Sequence, residues 1–412
     1  MDLPSKCRQL LRTAVIAAVI AFMGIAYMGV DFELTLKFSQ PSILSLDEPQ
    51  DHPALSSSSS RNDQILTPKL YRNLSCPFEW SKFSCFHQGR EAQAEAAHEL
   101  VANAWKQQRK RTVRDYWKSP YFLQRDDDDS DDSTTGRSNL LLVGDSTMRQ
   151  VFIALGCRFW QLDQIEEYHL DWKDHWPCNG TPNCITKGNH SGFETGRIRL
   201  KDGGPEIFFL PHSGALGGQH DIVDRWMQGW NSTQQQLSFQ LNPKENETIY
   251  HLQSQRDVVV YNIGLHLGPA KRKDMYGKLN ELGQSLLTST KSPATTSSAP
   301  TWVYMTTITQ HFQTVDGVYN SEPLKVSALS NSTTNNNCRG SVPKNPRRLD
   351  ELQVFHEGQN VNVLLDVRDE AMGKYHVGGI DCTHYCMAGP PDLMAMQLLD
   401  RLAQHYFGRS KG

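Results

Sequence analysis

The chain lacks an excess of charge of either sign. Its 412 residues include 42 Lys and Arg against 45 Asp and Glu, which gives a formal net charge of −3. Without a basic surplus, the composition gives no indication of a nucleic acid as partner. The sequence also lacks an internal repeat, so we expect one large α/β domain with accessory segments rather than a repeat architecture.

Charge is also absent from one stretch near the amino terminus, Thr13–Val30. A run of this length is near the lower limit for an α-helix that crosses a bilayer. Basic residues precede it and acidic residues follow it, so residues 1–12 are predicted to be a cytosolic tail and the rest of the chain to be lumenal. A cleaved signal peptide is the alternative, but no small-x-small site follows the run. We therefore predict a transmembrane signal anchor at 13–30.

A flexible stem is predicted next, because residues 31–75 combine several prolines with the run Ser56–Ser60 and show little apolar periodicity. The folded catalytic domain is expected to span 76–412. Two of its segments are predicted to be disordered loops, the aspartate-rich 126–135 and the low-complexity 289–300. A cation site is the alternative for the aspartate run, but like charges repel one another and usually form a solvated loop.

Two features support a lumenal body. Six N-x-S/T sequons lie downstream of the anchor, at Asn73, Asn179, Asn189, Asn231, Asn246 and Asn331. Of nine cysteines one precedes the anchor, which leaves Cys76, Cys85, Cys157, Cys178, Cys184, Cys338, Cys382 and Cys386. An even number of cysteines in an oxidising compartment predicts disulfides rather than zinc, with the pairing open among 105 possibilities.

Short apolar segments alternate with helical segments along the body. Helices are predicted at Glu91–Arg109 and Asp392–Tyr406. Strands are predicted at Asn139–Val143, Arg197–Leu200, Glu206–Leu210, Arg256–Asn262, Trp302–Thr307 and Val361–Val367. This alternation predicts the α/β class, as a three-layer α/β/α sandwich around a mostly parallel sheet.

Ser146 is the first candidate for chemistry. The segment Leu140–Gly156 is predicted to form a strand, a tight turn at Gly144 and a helix, with Ser146 at or near the start of the helix. Free backbone N–H groups and the helix dipole favour negative charge there, as an oxyanion requires. The alternative is that Ser146 only caps the helix.

Asp381 and His384 are the second candidate, three residues apart and just before the last helix. In a turn, the carboxylate can hold the Nδ1–H of the imidazole while Nε2 points towards a nucleophile. The alternatives are a surface turn stapled by Cys382 and Cys386, and a zinc site. A closed zinc site needs four ligands, and no second Cys/His pair lies nearby in the sequence. We therefore predict Ser146, Asp381 and His384 as a catalytic triad without a metal.

The order of these residues distinguishes between hydrolase folds. An α/β-hydrolase elbow needs a glycine two residues after the serine, where this chain has Met148, and separates its acid from its histidine. A serine followed after a long gap by D-x-x-H near the carboxyl terminus resembles the SGNH (GDSL-type) hydrolase superfamily.

Within that superfamily the chain resembles the plant trichome-birefringence-like polysaccharide O-acetyltransferases and related PC-esterase domains. That family's nucleophile block reads VGDS-x-x-R-N, and this chain has VGDSTMRQ, so that Arg149 matches and Gln150 departs. The family's terminal block is close to DCSHWCLPGVPD, and DCTHYCMAGPPD stands at Asp381–Asp392. Cys76–Phe78, Cys85 and Gly89–Arg90 are similar to its first cysteine block, and Thr306–Phe312 with Cys338 to its S-P-x-H-F…C region. The resemblance extends from about Cys76 to Arg401 and is strong at both ends.

The resemblance also implies an oxyanion hole. The matching donors are the N–H of Ser146, the N–H of Gly214 and the side chain of Asn262, although the usual G-x-N-D block is absent. The alternative for Asn262 is that it caps a strand end. His266 and His311 are candidates to line an acceptor cleft or to be structural.

The function that this resemblance implies is transfer of an acetyl group to hydroxyls of a polysaccharide or glycan, through an acyl-serine intermediate. The expected partners are the glycan acceptor, an acyl donor as co-substrate and the membrane that holds residues 13–30, with no further cofactor. The expected location is the Golgi membrane, with a single-pass type II topology. A carbohydrate acetyl-esterase and a non-catalytic glycan-binding protein are the alternatives.

Overall fold

A computed structural model of the protein describes most of the predicted catalytic domain. The described residues are 76, 83–85, 89–107, 138–171, 184–185, 195–201, 203–211, 222–229, 236–241, 248–253, 256–289, 299–319, 338–342, 345–378 and 381–408. The predicted tail, anchor, stem, aspartate run and six sequons lie outside these residues, as do Gly214 and most of 289–300. None of the helices within the described ranges is both long and apolar enough to cross a bilayer.

The described part contains helices and strands in alternation, as the sequence predicts. The helices are α1 Glu91–Gln107, α2 Ser146–Gln161, α3 Ile222–Gly229, α4 Pro269–Ser289, α5 Pro346–Val354 and α6 Pro390–Gly408. The strands are β1 Asn139–Gly144, β2 Ile165–Asp171, β3 Cys184–Ile185, β4 Thr195–Leu200, β5 Glu206–Pro211, β6 Leu237–Phe239, β7 Tyr250–Leu252, β8 Val258–Tyr261, β9 Thr301–Met305, β10 Val363–Leu365, β11 His376–Gly378 and β12 Asp381–Tyr385.

Eight of the strands form one central sheet in the order β10-β9-β8-β1-β5-β4-β2-β3. Neighbours pair in parallel except at β4, which runs antiparallel to both β5 and β2. The predicted mostly parallel α/β sheet is therefore confirmed. The chain leaves β1 towards one edge of the sheet and later places β8 on the other side of β1. In open α/β sheets, ligands bind outside the carboxyl ends of the strands at such a switch point.

Apolar side chains cover both faces of the sheet, which explains why β1 is a continuous apolar run. Leu140 and Leu142 pack into one core with residues of α1, α2 and α6. Leu141 and Val143 point the opposite way, into a core built with α3, α4 and Phe355 at the end of α5. Helices thus lie on both faces, because successive side chains of a strand alternate between them.

Disulfides, predicted from the even count of cysteines, are present. Among the described residues they join Cys76 to Cys157, Cys85 to Cys386 and Cys338 to Cys382. The last two attach both ends of the segment that contains β12 to distant parts of the chain. The pairing was open from the sequence, since spacing alone does not fix it.

One local expectation differs from the structure. Asp381 and His384 were expected in a turn, but both lie in β12, which pairs with β11 in a two-stranded sheet. The Asp381 side chain still contacts the residues that follow it. Its Oδ1 accepts the N–H of Thr383 at 3.1 Å and that of His384 at 3.0 Å. A turn-like local hydrogen-bond pattern is therefore present at the start of the strand.

Candidate active site

Ser146 is the first residue of α2, at the carboxyl end of β1. The alternative that Ser146 caps the helix does not describe this arrangement, because Asp145 is the N-cap and accepts the N–H of Thr147 at 2.9 Å. The Ser146 hydroxyl is thereby left for another partner, and the residue is partly exposed. It lies at a helix amino terminus, where the first N–H groups have no intrahelical acceptor.

Ser146, His384 and Asp381 form one chain of hydrogen bonds. The Ser146 Oγ lies 2.7 Å from Nε2 of His384, and Nδ1 of His384 lies 2.9 Å from Oδ2 of Asp381. The side chains of His384 and Asp381 are 13 % and 22 % exposed, so the group is not sealed from solvent. The structure therefore brings together the three residues that the sequence selected, in the order that a Ser-His-Asp triad requires.

The charge of Asp381 is favoured by its contacts. Burial alone would raise the pKa of Asp381, but the hydrogen bond to His384, the charge of that imidazole and two backbone N–H groups outweigh burial and lower the pKa to about 2. A carboxylate with this environment keeps its negative charge at any ordinary pH. It can hold the Nδ1–H tautomer of His384 and stabilise an imidazolium.

Gln150 joins the two distant segments, a role that sequence reasoning missed. Its Nε2 donates to the carbonyl of Tyr385 at 2.7 Å, and its Oε1 accepts the N–H of Tyr385 at 3.2 Å. The side chain amide therefore pairs with β12 as a neighbouring strand would, one residue after His384. The only sequence signal for this contact was that Gln150 stands where the similar family has asparagine.

Phe83 packs against the ring of His384. The Phe83 ring lies 4.8 Å from the imidazole, centroid to centroid, and its carbonyl accepts the N–H of Met387 at 3.0 Å. The guanidinium of Arg149 lies 5.8 Å from the centre of the same ring. Phe83 is fully buried, so its ring gives the imidazole of His384 a fixed surface to pack against.

Asp145 connects the nucleophile turn to the loop after β8. Its Oδ2 accepts the N–H of Leu265 at 2.7 Å. Gly264 makes this approach possible, since it has φ +73° and a Cβ there would lie 2.4 Å from the same oxygen. Burial would raise the pKa of Asp145, but hydrogen bonds from Thr147 and Leu265 and the neighbouring His266 outweigh it and lower the pKa.

The predicted oxyanion hole receives less support from the geometry. Gly214 lies outside the described residues. Asn262 is fully buried, and its Nδ2 donates to the carbonyl of Met305 at 2.9 Å. Because this amide is fully buried, a substrate oxygen cannot reach it without a rearrangement, so the arrangement does not present Asn262 to an oxyanion. Its role and that of Gly214 stay predictions, and the N–H of Ser146 remains the best-placed donor of the three.

The two other predicted histidines have different positions. His266 is exposed, with Nε2 3.9 Å from Oδ2 of Asp145, so it lies beside the nucleophile turn. His311 is fully buried and contacts His376 at 2.7 Å, so the structural alternative describes it better than a place in an acceptor cleft.

The zinc alternative for the terminal block has lost its sulfur ligands, since Cys382 and Cys386 are both in disulfides. Within the described residues, no group of three or more His, Cys, Asp or Glu could hold a metal ion.

Comparison of the chain with models of known protein families and with curated proteins gives no match. The relationship to the SGNH and trichome-birefringence-like group therefore rests on the motifs alone and is a proposal.

Proposed function

We propose that this chain is a serine acyltransferase of the SGNH type that moves acetyl groups to hydroxyls of a polysaccharide or glycan. The observation that supports the proposal most is the Ser146–His384–Asp381 chain of hydrogen bonds, with distances of 2.7 Å and 2.9 Å. The position of these three residues also supports the proposal. Ser146 lies at the carboxyl end of β1, where open α/β sheets bind ligands.

The proposed reaction is a double displacement. Nε2 of His384 takes the proton of Ser146 as its Oγ attacks the acyl carbonyl of the donor, and the imidazolium then protonates the leaving group. The acyl group is now an ester of Ser146. His384 next takes the proton of a sugar hydroxyl, whose oxygen attacks this ester, and finally returns a proton to Ser146. Backbone N–H groups at the start of α2 stabilise the oxyanion in both steps.

The preference for transfer over hydrolysis rests on the resemblance to polysaccharide O-acetyltransferases. Water in place of the sugar hydroxyl would make the same site a carbohydrate acetyl-esterase. A type II anchor at 13–30, a lumenal catalytic domain and residence in the Golgi membrane are parts of the same proposal. They agree with the six sequons and the cysteines downstream of the apolar run.

Replacement of Ser146 tests the proposal. We expect Ser146→Ala to lower turnover of an acetyl ester by a factor of about 10⁴ or more, since the nucleophile is removed. Ser285→Ala is the matched control, because Ser285 lies in α4 and its hydroxyl donates to the carbonyl of Glu281 in the same helix at 3.0 Å. Mass spectrometry of the protein incubated with donor should find an acetyl group on the peptide that contains Ser146.

The same protein with donor and an unacetylated oligosaccharide distinguishes the alternatives. Formation of acetylated oligosaccharide supports transfer. Release of acetate without any acetylated oligosaccharide would make the protein an esterase. Equal turnover by Ser146→Ala and Ser285→Ala would exclude the triad. Binding of the oligosaccharide without turnover of any ester would favour the non-catalytic alternative.

A further inference from the structure

Two buried histidines, His311 and His376, lie behind the strand that carries His384. His311 follows β9 and His376 begins β11, and both are fully buried. Nδ1 of His311 lies 2.7 Å from Nε2 of His376. The outer nitrogens contact backbone carbonyls, since Nδ1 of His376 is 3.0 Å from the oxygen of His384 and Nε2 of His311 is 3.0 Å from that of Glu370.

The hydrogen-bond partners of the two rings set the number of N–H protons that the pair needs. A carbonyl oxygen only accepts, so each outer nitrogen needs a proton to make its hydrogen bond. The contact between the two rings needs one more. Three N–H protons are therefore required on four nitrogens, whereas two neutral imidazoles carry two. The pair makes all three hydrogen bonds only when it carries one positive charge.

The surroundings of the pair divide into groups that favour this charge and groups that oppose it. The buried carboxylate of Asp369 favours it at His311, and Asp381 favours it at His376. Arg339 opposes it at His311, and His384 opposes it at His376. The side chain of Glu370, whose carbonyl contacts the pair, forms an ion pair with Arg348.

Burial opposes the charge more strongly than any of these groups. It lowers the pKa of His376 well below the usual value and also lowers the pKa of His311. The hydrogen-bond contacts therefore favour a third proton on the pair, but burial weakens its binding. This proton leaves as the pH rises. Tyr385 partly compensates, because its ring stacks on His376 at 4.1 Å between centroids and its hydroxyl donates to Asp369 at 2.6 Å.

We propose that His376 is a positioning residue for His384, and that His311 and His376 share a third proton which completes this role. The N–H of His376 fixes the carbonyl of His384, and His311 in turn fixes the ring of His376. When the third proton is lost, one of the three contacts has no N–H: the contact to the carbonyl of His384, the contact to the carbonyl of Glu370, or the contact between the two rings. Each loss breaks the row that fixes the carbonyl of His384. The positioning role rests on the proposed function of His384, whereas the proton count does not.

Nuclear magnetic resonance of the full-length Ser146→Ala protein with ¹⁵N-labelled histidine tests the proton count. Spectra of His311→Asn and His376→Asn in the same background assign the signals. At mildly acidic pH we expect three N–H protons on the pair, with one in the contact between the rings, and two after titration to alkaline pH. Two protons over the whole pH range in which the protein is folded would overturn the proposal.

Two substitutions of His376 test the positioning role. His376→Asn keeps an N–H near the position of Nδ1 and can still donate to the carbonyl of His384, whereas His376→Phe keeps a ring against Tyr385 and removes the donor. We expect His376→Phe to lower kcat by about 10- to 100-fold with little change in KM, because a small misplacement of a catalytic group has an effect of this size. We also expect wild-type kcat to fall in a step as the pH rises and the pair loses its third proton. His376→Asn should keep most of kcat and lack this step.

The matched control is His356→Phe, since His356 is exposed and contacts only the carbonyl of Gln353 through its ring among the contacts described. Equal kcat and equal pH profiles for His376→Phe and His356→Phe would overturn the positioning role. If His376→Phe does not fold, the pH profile of kcat for His376→Asn still tests the positioning role, and the proton count still tests the shared proton. Failure of the proposed function would instead be seen as undiminished turnover by Ser146→Ala, which leaves the proton count unaffected.

Discussion

At the residue scale, the tautomer of one imidazole decides whether Ser146 can lose its proton. Oδ2 of Asp381 accepts from Nδ1 of His384, which leaves Nε2 unprotonated and 2.7 Å from the serine oxygen. Oδ1 of the same carboxylate is fixed by two backbone N–H groups, from Thr383 and His384. Asp381 therefore sets both the orientation and the protonation of the ring.

Asp381→Asn tests this role. We expect kcat for acetyl-ester turnover to fall by about 10³- to 10⁴-fold, because the amide nitrogen donates to Nδ1 and moves the ring proton to Nε2. The fold should be kept, since Oδ1 still accepts both backbone N–H groups. Steady-state kinetics and circular dichroism of the variant measure the two effects.

The pH dependence separates Asp381 from the histidines. Since the pKa of Asp381 is about 2, its carboxylate stays charged above about pH 4, and any loss of wild-type activity at higher pH must come from another group.

Asp163→Asn serves as the control for Asp381→Asn, because Asp163 is an exposed residue that pairs with Lys201. Similar kcat values for Asp381→Asn and Asp163→Asn would contradict the orienting role.

At the scale of elements, α5 is attached to the end of β9 by buried polar groups. Asn345 caps α5 and its Nδ2 donates to the carbonyl of Thr307 at 2.8 Å. Glu351 accepts the N–H of Thr307 at 2.6 Å and the hydroxyl of Tyr304 at 2.9 Å. These bonds hold the loop that leads from β9 to His311. Through His376, this loop supports β12.

Glu351 makes the stability of this attachment depend on pH. Burial raises the pKa of Glu351 from 4.5 to about 7, despite the hydrogen bonds that it accepts. The folded state therefore binds a proton more tightly than the unfolded state, so the stabilisation is complete below about pH 4.5 and is lost as the pH rises to about 7. We expect this group to lower the free energy of unfolding by about 3 kcal/mol across that range.

Denaturant unfolding of wild type and Glu351→Gln at several pH values measures this effect. Glutamine does not titrate, so the difference between the two free energies of unfolding should change across the range from about pH 4.5 to 7. Glu357→Gln is the control, since Glu357 is exposed and pairs with Arg401. A difference between wild type and Glu351→Gln that is constant with pH would contradict the prediction.

At the scale of the whole molecule, disulfides connect the two ends of the described part of the chain. The Cys85–Cys386 bond joins residues 301 positions apart, and Cys386 lies two residues after His384. The Cys338–Cys382 bond closes a much shorter loop, with a separation of 44. Both therefore constrain the segment that carries Asp381 and His384, but with different effects on the unfolded chain.

Removal of each bond by a pair of Cys→Ser substitutions tests this difference. We expect loss of Cys85–Cys386 to lower the free energy of unfolding by about 2–5 kcal/mol, and by about 1–2 kcal/mol more than loss of Cys338–Cys382. The reason is that the longer loop gains more conformational entropy when it is opened. Denaturant unfolding compares the two variants, and an equal or larger loss for Cys338–Cys382 would contradict the loop-length argument.

Much of this organisation could be predicted from local sequence. The apolar run of β1 with the turn and helix after it, the α/β alternation, and the spacing of Asp381 and His384 all lie within short windows. Hydrophobic periodicity and turn chemistry act over a few residues, so they can be read there. The even number of cysteines likewise indicated disulfides, because composition and the predicted compartment suffice for that inference.

The tertiary structure alone decided which of these segments meet. Strand order places the carboxyl end of β1 beside the loop after β8, and disulfides and Gln150 bring β12 to Ser146 over 238 residues. The burial of Asn262 and the contact of His311 with His376 also follow from that packing. Contacts between residues so far apart depend on the global arrangement of the sheet and on cysteine pairing, neither of which local spacing encodes. The sequence thus determined which residues can do chemistry, and the packing determined which of them are in reach of one another.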